Sequence, residues 1–377
     1  MPVPKHLYLT PLLAISLLMP AGCAHKAPPA GGKPVRMEYA KLLTIERYND
    51  YTLATVRDPW KDNAVLHRYA LVAHGGETPA DIAEGTTVVR VPLRKMCVST
   101  SVHTALMYQL GALPQVAGIC EGKYILNPAV QQQIAGGHIK DVGSGLNPSV
   151  EMIAQLRTDA LLMSPFEGAS YGLLEKTGIP IIECADYMET TALGRAEWMK
   201  FYGMLVGREA RADSLFETIK KHYLALRELA SHQAHHPKLL ADTPNGNTWY
   251  MPGGGSIYGT LYKDAGADYN LADPNASGSQ PLSIEKVLTG ARDADVWIIK
   301  YSRPQDHTYA TLLSENNVFQ QFAPYTHRRI YGCNAMKVPF YEEAPFRPDL
   351  LLKDIISILY PDLLPDYLRQ FYEPLAD

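Results

Sequence analysis

Residues 149–163 read SVEMIAQLRTDALLM, and residues 283–299 repeat the pattern as SIEKVLTGARDADVWII. In both segments a Ser precedes a Glu by two positions and an Asp-Ala pair by ten. A Ser followed by an acid in the first turn is typical of a helix N-terminus, and the closing apolar run is typical of a strand buried on both faces. The chain therefore carries one αβ unit twice, 134 residues apart, which predicts two similar α/β lobes.

Length and composition agree with two lobes. The chain has 377 residues, of which 46% are hydrophobic. That is more than one small core needs, and it suits two domains of about 150 residues each. The net charge is −4 and 20% of the residues are charged, so no basic field would attract nucleic acid. No nucleic-acid partner is predicted.

The N-terminus has the composition of an export signal. A short positive start is followed by the apolar core Leu7–Met19 and by the small residues Ala21-Gly22 before Cys23. The apolar core is too short for a stable membrane span. The segment resembles a bacterial lipoprotein signal, which implies that residues 1–23 direct export and that lipid on Cys23 anchors the protein to a membrane. The alternative is a plain secretory signal that leaves Cys23 unmodified. Residues 24–36, rich in Ala, Pro and Gly, are predicted to form a flexible tether.

Short apolar strands alternate with helical segments through the first half of the chain. This alternation argues for a parallel sheet covered by helices. A hairpin is expected at Tyr51–Arg57 and Tyr69–Ala73, and Val88–Val91 is expected to begin the βα series. We assign residues 37–192 to an N-terminal α/β lobe.

A long helical region follows, at residues 193–235. It has no proline between residues 194 and 232, and its apolar side chains recur at helical spacing. Gly207 is expected to interrupt it, so that a second helix begins near Glu209, and 20 helical residues span about 30 Å. Residues 236–377 form the C-terminal lobe. The predicted fold class is α/β, with two Rossmann-like lobes that contain parallel sheets and are joined by a long spine helix.

Several segments resemble one protein family and occur in its order. They include the repeated Ser-x-Glu unit, the strand at Gly178–Ile181 and the terminal helix at Arg347–Ile355. Together, over residues 85–365, they resemble the helical-spine (class III) substrate-binding proteins of ABC importers. The resemblance implies a monomeric, periplasmic, lipid-anchored protein that captures a metal chelate and delivers it to an importer permease. The expected chelate is vitamin B12 or another corrinoid, or a ferric siderophore, with haem as the alternative.

The resemblance gives the two repeated glutamates a role. In that family one surface acid on each lobe docks onto arginines of the permease, and the matching positions here are Glu151 and Glu285. The physical basis is electrostatic steering between paired surface charges. The alternative is that each acid only complements a helix dipole, which contributes about 0.3–1 kcal/mol. The two roles are compatible.

The ligand is expected between the lobes, at loops that follow the C-terminal ends of strands, where open α/β sheets leave a crevice. Aromatic residues dominate these loops, and large flat chelates bind by apolar stacking. Arg303 is expected to donate to a ligand oxygen, with a solvated loop charge as the alternative. The predicted ligand-binding residues are Ser99, Tyr124, Ser144, Phe166, Tyr187, Trp249, Tyr250, Arg303 and Tyr341.

The sequence contains no recognisable catalytic motif. None of the 12 His residues forms a His-Glu-x-x-His pattern, and no nucleophile elbow is present. We therefore predict a binding protein rather than an enzyme, with no cofactor and no metal site. His74 and His103 are candidate haem-iron ligands, with structural roles as the alternative. A chelatase-like enzyme, which would need a His beside a carboxylate at the ligand's metal, stays open. A lipoprotein that relays its ligand without an importer also stays open.

Overall fold

A computed structural model describes residues 31–168 and 170–377. The predicted signal region with Cys23, and residues 24–30 of the predicted tether, lie outside the described residues. The predicted flexible tether also included residues 31–36. That prediction is wrong at Lys33–Val35, because these residues form a strand that pairs with residues 45–47. Within the described ranges, none of the helices combines the length and hydropathy that a membrane span requires.

A five-stranded sheet precedes the first lobe and is called the N-terminal sheet below. Its strands are β1 (Lys33–Val35), β2 (Leu43–Arg47), β3 (Tyr51–Arg57), β4 (Val65–Ala73) and β5 (Thr86–Val91). They lie in chain order, with antiparallel pairs up to β4 and a parallel pair between β4 and β5. The predicted hairpin is confirmed as β3 and β4. The prediction that Val88–Val91 begins the βα series is wrong, because this strand pairs with β4 instead.

The N-terminal lobe contains a parallel sheet with helices packed on it. Its elements are β6 (Met96–Val98), α1 (Ser101–Gln109), β7 (Val116–Ile119), α2 (Pro128–Ala135), β8 (Lys140–Asp141), α3 (Val150–Leu156), β9 (Ala160–Met163) and β10 (Ile181–Glu183). The strand order is β10-β9-β6-β7-β8, and every pair is parallel. The order reverses direction at β6, so a crevice forms at the carboxyl ends of the central strands.

Three helices connect the lobes: α4 (Ala192–Glu197), α5 (Met199–Val206) and α6 (Glu209–Ser231). Gly207 ends α5 with a φ of 67°, a left-handed conformation that glycine adopts at no steric cost. The predicted interruption is therefore confirmed. The 23 residues of α6 span about 35 Å at 1.5 Å per residue. Phe216 and Ile219 of α6 pack into the N-terminal core, and Tyr223 and Ala230 pack into the C-terminal core. This helix is the predicted spine.

The C-terminal lobe contains two sheets. Its strands are β11 (Leu239–Ala241), β12 (Pro244–Asn245), β13 (Thr248–Pro252), β14 (Ser279–Ser283), β15 (Val296–Tyr301), β16 (Ile330–Asn334) and β17 (Glu373–Pro374). Its helices are α7 (Ile257–Asp264), α8 (Ile284–Ala291), α9 (Tyr309–Glu315), α10 (Ala323–Thr326), α11 (Phe340–Glu343) and α12 (Pro348–Leu359). The main sheet has the order β11-β15-β16-β17, with its first three strands parallel, and β12-β13-β14 form an antiparallel sheet beside it. The fold is thus the predicted two-lobe α/β architecture.

The repeated segments form equivalent structures in the two lobes. The Ser149 hydroxyl accepts a hydrogen bond from the Met152 amide at 3.3 Å, and the Ser283 hydroxyl accepts one from the Lys286 amide at 3.2 Å. Each Ser is the N-cap of its helix, α3 or α8. The strands that follow, β9 and β15, are buried over their apolar residues. The repeated sequence pattern therefore forms the same capped helix and buried strand in both lobes.

Candidate functional site

A cavity of about 650 Å³ lies at the carboxyl ends of the N-terminal lobe's strands. This volume falls within the range that small-molecule sites usually have. Five of the predicted ligand-binding residues line it: Ser99, Tyr124, Ser144, Phe166 and Tyr187. They come from loops after β6, β7, β8, β9 and β10, so the parallel sheet brings them together from positions up to 88 residues apart in the chain.

Asp141, at the end of β8, fixes two of these loops. Its carboxylate accepts hydrogen bonds from the amides of Gly122 and Gly143, both at 2.9 Å. The first loop continues to Tyr124 and the second to Ser144. One carboxylate therefore sets the positions of two cavity residues through charge-assisted hydrogen bonds, which are stronger than neutral ones.

The walls of this cavity expose apolar side chains. Tyr124 is 57% exposed, Phe166 is 53% exposed, and Leu146 and Leu173 are exposed as well. The Tyr187 hydroxyl donates a hydrogen bond to the Pro165 carbonyl, which holds the loop that carries Phe166. Exposed apolar groups gathered in a concavity favour a ligand with flat or apolar surfaces.

A buried ionic cluster lies next to two cavity residues, Thr100 and Tyr187. The Asp186 carboxylate accepts hydrogen bonds from His103 Nε2 at 2.7 Å, from the Tyr202 hydroxyl at 2.7 Å and from Arg195 Nε at 2.9 Å. Burial acts to raise the pKa of Asp186, but the charges of His103 and Arg195 lower it to about 2. Burial acts to lower the pKa of His103, but the neighbouring Cys184 and Asp186 raise it to about 10. The pair is therefore ionised at neutral pH.

This cluster decides between the two roles considered for His103. Its Nδ1 lies 2.6 Å from the Thr100 hydroxyl, and its Nε2 is engaged by Asp186, so both ring nitrogens have partners inside the protein. The side chain is 2% exposed. His103 is a structural residue here, not an available iron ligand. His74 is also engaged, since its Nε2 lies 2.9 Å from the Pro92 carbonyl oxygen.

The four predicted ligand-binding residues of the C-terminal lobe differ in exposure and in their partners. Trp249 is 0% exposed, and its indole donates to the Ala241 carbonyl at 2.9 Å, so the prediction that it lines the cleft is wrong. Burial alternates along β13, which turns Trp249 inward and leaves the next residue, Tyr250, 50% exposed. Tyr341 on α11 is half exposed. Arg303 is partly exposed and already paired, because its Nη1 donates to Glu315 Oε1 at 2.7 Å.

Lys300, near the carboxyl end of β15, is a polar residue that the motifs do not single out. Its Nζ lies 4.7 Å from the centre of the Tyr258 ring and 5.2 Å from that of Phe340. In the described part of the chain, no hydrogen bond or ion pair joins this ammonium group to another residue. Burial acts to lower the pKa of Lys300, but Tyr258 and Asp242 raise it, and the net shift is upward. Lys300 is therefore a charged, partly buried cation that no salt bridge in the described ranges engages, with the buried Asp242 carboxylate acting on it only at longer range. A Lys near the end of an otherwise apolar strand is the sequence pattern that could have identified Lys300.

The two lobes meet at α11. This short helix packs against α1, and the buried Glu342 carboxylate accepts hydrogen bonds from the amides of Leu126 at 2.5 Å and Asn127 at 3.0 Å. We call this contact the lobe clamp. Tyr124 precedes Leu126 by two residues, and Tyr341 is adjacent to Glu342. Predicted ligand residues of both lobes thus stand directly beside one interlobe contact.

Glu151 and Glu285 occupy the same position in their helices. Each is exposed at the second residue of α3 or α8, after a Ser N-cap. Hydrogen bonds from its own amide and from Ser283 lower the pKa of Glu285, so it is ionised at neutral pH. Val150, next to Glu151, lines the N-terminal cavity. No group of three or more His, Cys, Asp or Glu side chains among residues 31–168 and 170–377 is arranged to hold a metal ion.

Comparisons with known proteins agree with this geometry. The profile of one family, described as periplasmic binding protein, matches residues 97–336. An uncharacterized lipoprotein of Methanocaldococcus jannaschii is 24% identical over 305 residues, covering 77% of this chain and 71% of that protein. A possible iron-binding (periplasmic solute-binding) protein of Staphylococcus epidermidis superposes with a TM-score of 0.56 at 16% identity, covering 71% of this chain and 99% of that one. A periplasmic heme binding protein of Pseudomonas aeruginosa superposes with a TM-score of 0.55 at 18% identity, covering 71% and 93%.

Proposed function

The chain belongs to the periplasmic binding protein family, in its helical-spine class, and we propose that it is a lipid-anchored substrate-binding protein. It captures a metal chelate and delivers it to an ABC importer permease. The proposed chelate is a corrinoid or a ferric siderophore, with haem as the alternative. Cys23 is the proposed lipid attachment site, and the relative from Methanocaldococcus jannaschii, which is named as a lipoprotein, supports an extracytoplasmic location.

The N-terminal cavity is the observation that carries the proposal. It combines exposed aromatic walls with two loops that are fixed by a single carboxylate, Asp141. Tyr124 and Phe166 are proposed to stack on the chelate, while Ser99 and Ser144 offer hydroxyl groups to its polar edge. Tyr187 is proposed to position the Phe166 loop.

The C-terminal lobe is proposed to supply the opposite face. Tyr250, Arg303 and Tyr341 stay proposed ligand contacts, and Lys300 joins them as a cation whose side chain forms no salt bridge within the described part of the chain. An ammonium group that lies over aromatic rings, and that no salt bridge engages, attracts an anionic ligand oxygen more strongly than an exposed Lys does, because the local dielectric is lower. This supports a chelate with a carboxylate or another anionic oxygen.

Delivery is proposed to proceed through docking of the two lobes. Glu151 and Glu285 would each meet a basic side chain of the permease, which then separates the lobes. The lobe clamp and the continuous helix α6 both resist separation. Only modest closure is therefore expected when ligand binds, since a single helix bends less readily than flexible strands.

Charge reversal tests the delivery step. The double variant Glu151→Lys/Glu285→Lys should bind the chelate with unchanged affinity but should reduce uptake by proteoliposomes that contain the permease at least tenfold. Glu84, in the turn before β5, and Glu373, on β17, are exposed acids elsewhere on the surface, so Glu84→Lys/Glu373→Lys provides a control with the same charge change. Normal uptake with the first variant would show that the protein does not use these acids to reach a permease.

A further inference from the structure

The N-terminal sheet lies outside the residues 97–336 that match the family, yet it is joined tightly to the N-terminal lobe. The Tyr69 hydroxyl donates to the Ile181 carbonyl at 3.1 Å and accepts from the Glu183 amide at 2.8 Å. These contacts fix β4 against β10, the edge strand of the lobe. The sheet therefore has one fixed position beside the cavity.

Two buried carboxylates on the approach to the spine strengthen this attachment. Glu197 accepts hydrogen bonds from the amides of residues 38, 39 and 40, and Glu189 accepts from those of residues 41 and 42. Glu197 is 0% exposed. Five consecutive amides bound to carboxylates hold the connection between β1 and β2 with little freedom to move. What the sheet places near the cavity is therefore placed rigidly.

The β3–β4 loop, residues 58–64, lines a smaller cavity that borders the larger one. Asp58 organises this loop, because its carboxylate accepts from the amide of Trp60 at 2.8 Å and from that of Lys61 at 3.1 Å. The Asp58 amide in turn donates to the Ala64 carbonyl at 3.0 Å. Such a turn, closed by an Asp side chain and a backbone bond, holds the backbone at Trp60 in place.

A second, smaller cavity of about 170 Å³ lies under this loop. Trp60, Lys61 and Leu66 line it from the N-terminal sheet, and Phe166 and Tyr171 line it from the lobe. Phe166 and Tyr171 also line the larger cavity, so the two cavities share a wall. Phe166 is half exposed and stands between them.

Trp60 differs from the other tryptophans of the chain. Of the four, Trp198, Trp249 and Trp297 are each 0% exposed and belong to the cores, whereas Trp60 is partly exposed. This partly exposed aromatic side chain lines the same cavity as the half-exposed Phe166, beside the carboxylates of Asp58, Glu167 and Glu183. Two exposed aromatic rings in one concavity offer an apolar surface to a ligand.

We propose that the N-terminal sheet completes the ligand site, with Trp60 contacting an apolar, planar part of the chelate that extends past Phe166. This inference rests on the proposed function, because its ligand is the same chelate. The sheet thereby extends the binding surface of the lobe beyond the part of the chain that the family shares. Trp60 becomes a residue that determines ligand specificity for chelates with a broad apolar periphery, while compact chelates would occupy the larger cavity alone.

Affinity measurements on Trp60 variants test this. The chain from residue 24 onward is titrated with haemin, cyanocobalamin and a ferric hydroxamate, and binding is followed by ligand absorbance, which does not depend on tryptophan. Trp60→Ala should raise the Kd for the bound chelate about five- to tenfold, as loss of one aromatic contact does. Trp60→Phe keeps a ring and should change the Kd less than threefold. Phe166→Ala serves as the reference for a wall of the larger cavity.

A second measurement needs no variant. N-bromosuccinimide oxidises accessible tryptophan, and peptide mass spectrometry locates the product. Trp60 should be the tryptophan oxidised in the free protein, and bound chelate should slow its oxidation at least fivefold. If Phe166→Ala weakens binding but Trp60→Ala does not, and Trp60 is unprotected, the inference is wrong while the proposed function stands. If the wild-type protein binds none of the three chelates, the proposed function fails and the inference fails with it.

Discussion

Removing the lobe clamp should loosen the junction between the lobes. Glu342 is 4% exposed, and its carboxylate accepts the amides of Leu126 and Asn127 from the other lobe. Hydrogen bonds to a charged group contribute about 1.5–3 kcal/mol each. Burial raises the pKa of Glu342, so part of this gain is offset by the cost of burying the charge. We therefore expect Glu342→Ala to lower the free energy of unfolding by about 2 kcal/mol, which is less than two such bonds would contribute without that cost.

The neighbouring acid provides a matched control. Glu343 lies on the same short helix and makes no side-chain hydrogen bond in the described part of the chain, so Glu343→Ala removes the same charge without breaking the clamp. Urea unfolding gives the stability of both variants, and hydrogen exchange follows the amides of Leu126 and Asn127. In Glu342→Ala these amides should exchange about 30-fold faster, since 1.4 kcal/mol corresponds to a factor of ten. Equal stability of the two variants, with unchanged exchange at both amides, would refute the role assigned to Glu342.

Two further predictions concern charge. Lys300→Met keeps the length of the side chain but removes its charge. The Kd for a chelate with an anionic oxygen should therefore rise about tenfold to a hundredfold, while the Kd for a neutral chelate should change less than threefold. Absorbance titration with both types of ligand measures the difference. The Asp186–His103 pair predicts a stability profile. Asp186, with its pKa lowered to about 2, stabilises the fold above its unfolded pKa near 4, and this contribution is lost as the pH falls towards 2. His103, with its pKa raised to about 10, stabilises the fold below its unfolded pKa near 6.5, and this contribution is lost as the pH rises to 10. His103→Gln should therefore cost the most stability at pH 5–6 and progressively less above pH 7 in urea unfolding; a difference that does not change with pH would contradict the assigned ion pair.

The two lobes could be predicted because their evidence is local. A Ser N-cap, an acid at the second helical position and an apolar strand are all contained within about 15 residues, the scale on which capping and burial patterns act. Gly207 likewise marked the interruption of the spine by itself, since glycine is the residue that a left-handed helix end favours.

The cavity residues of the N-terminal lobe were accessible to the same reasoning. In a parallel sheet the loops after each strand lie at the same edge, so predicting the strands also identifies the loops that meet there. The errors occurred where pairing was not local. Trp249 and Tyr250 are adjacent, and only the pairing of β13 with β14 determines which of them turns inward. A one-residue difference in register reverses that outcome.

The N-terminal sheet could not be placed from the sequence. Its attachment depends on Glu189 and Glu197, which bind amides about 150 residues earlier in the chain. Neither carboxylate differs in the sequence from an ordinary helical Glu. Lys300 was missed for a related reason, because a single Lys at a strand end is usually solvated, and its aromatic neighbours Tyr258 and Phe340 come from two separate helices.

The most direct test of the account is an equilibrium titration of the chain from residue 24 onward with haemin, cyanocobalamin and a ferric hydroxamate, followed by absorbance, with the ligand recovered afterwards and analysed by mass spectrometry. We expect one of these chelates to bind with a sub-micromolar Kd and to be recovered with its metal and its organic part unchanged. Absence of binding to all three, or recovery of a ligand that has lost its metal, would contradict the assignment of this protein as a carrier of metal chelates.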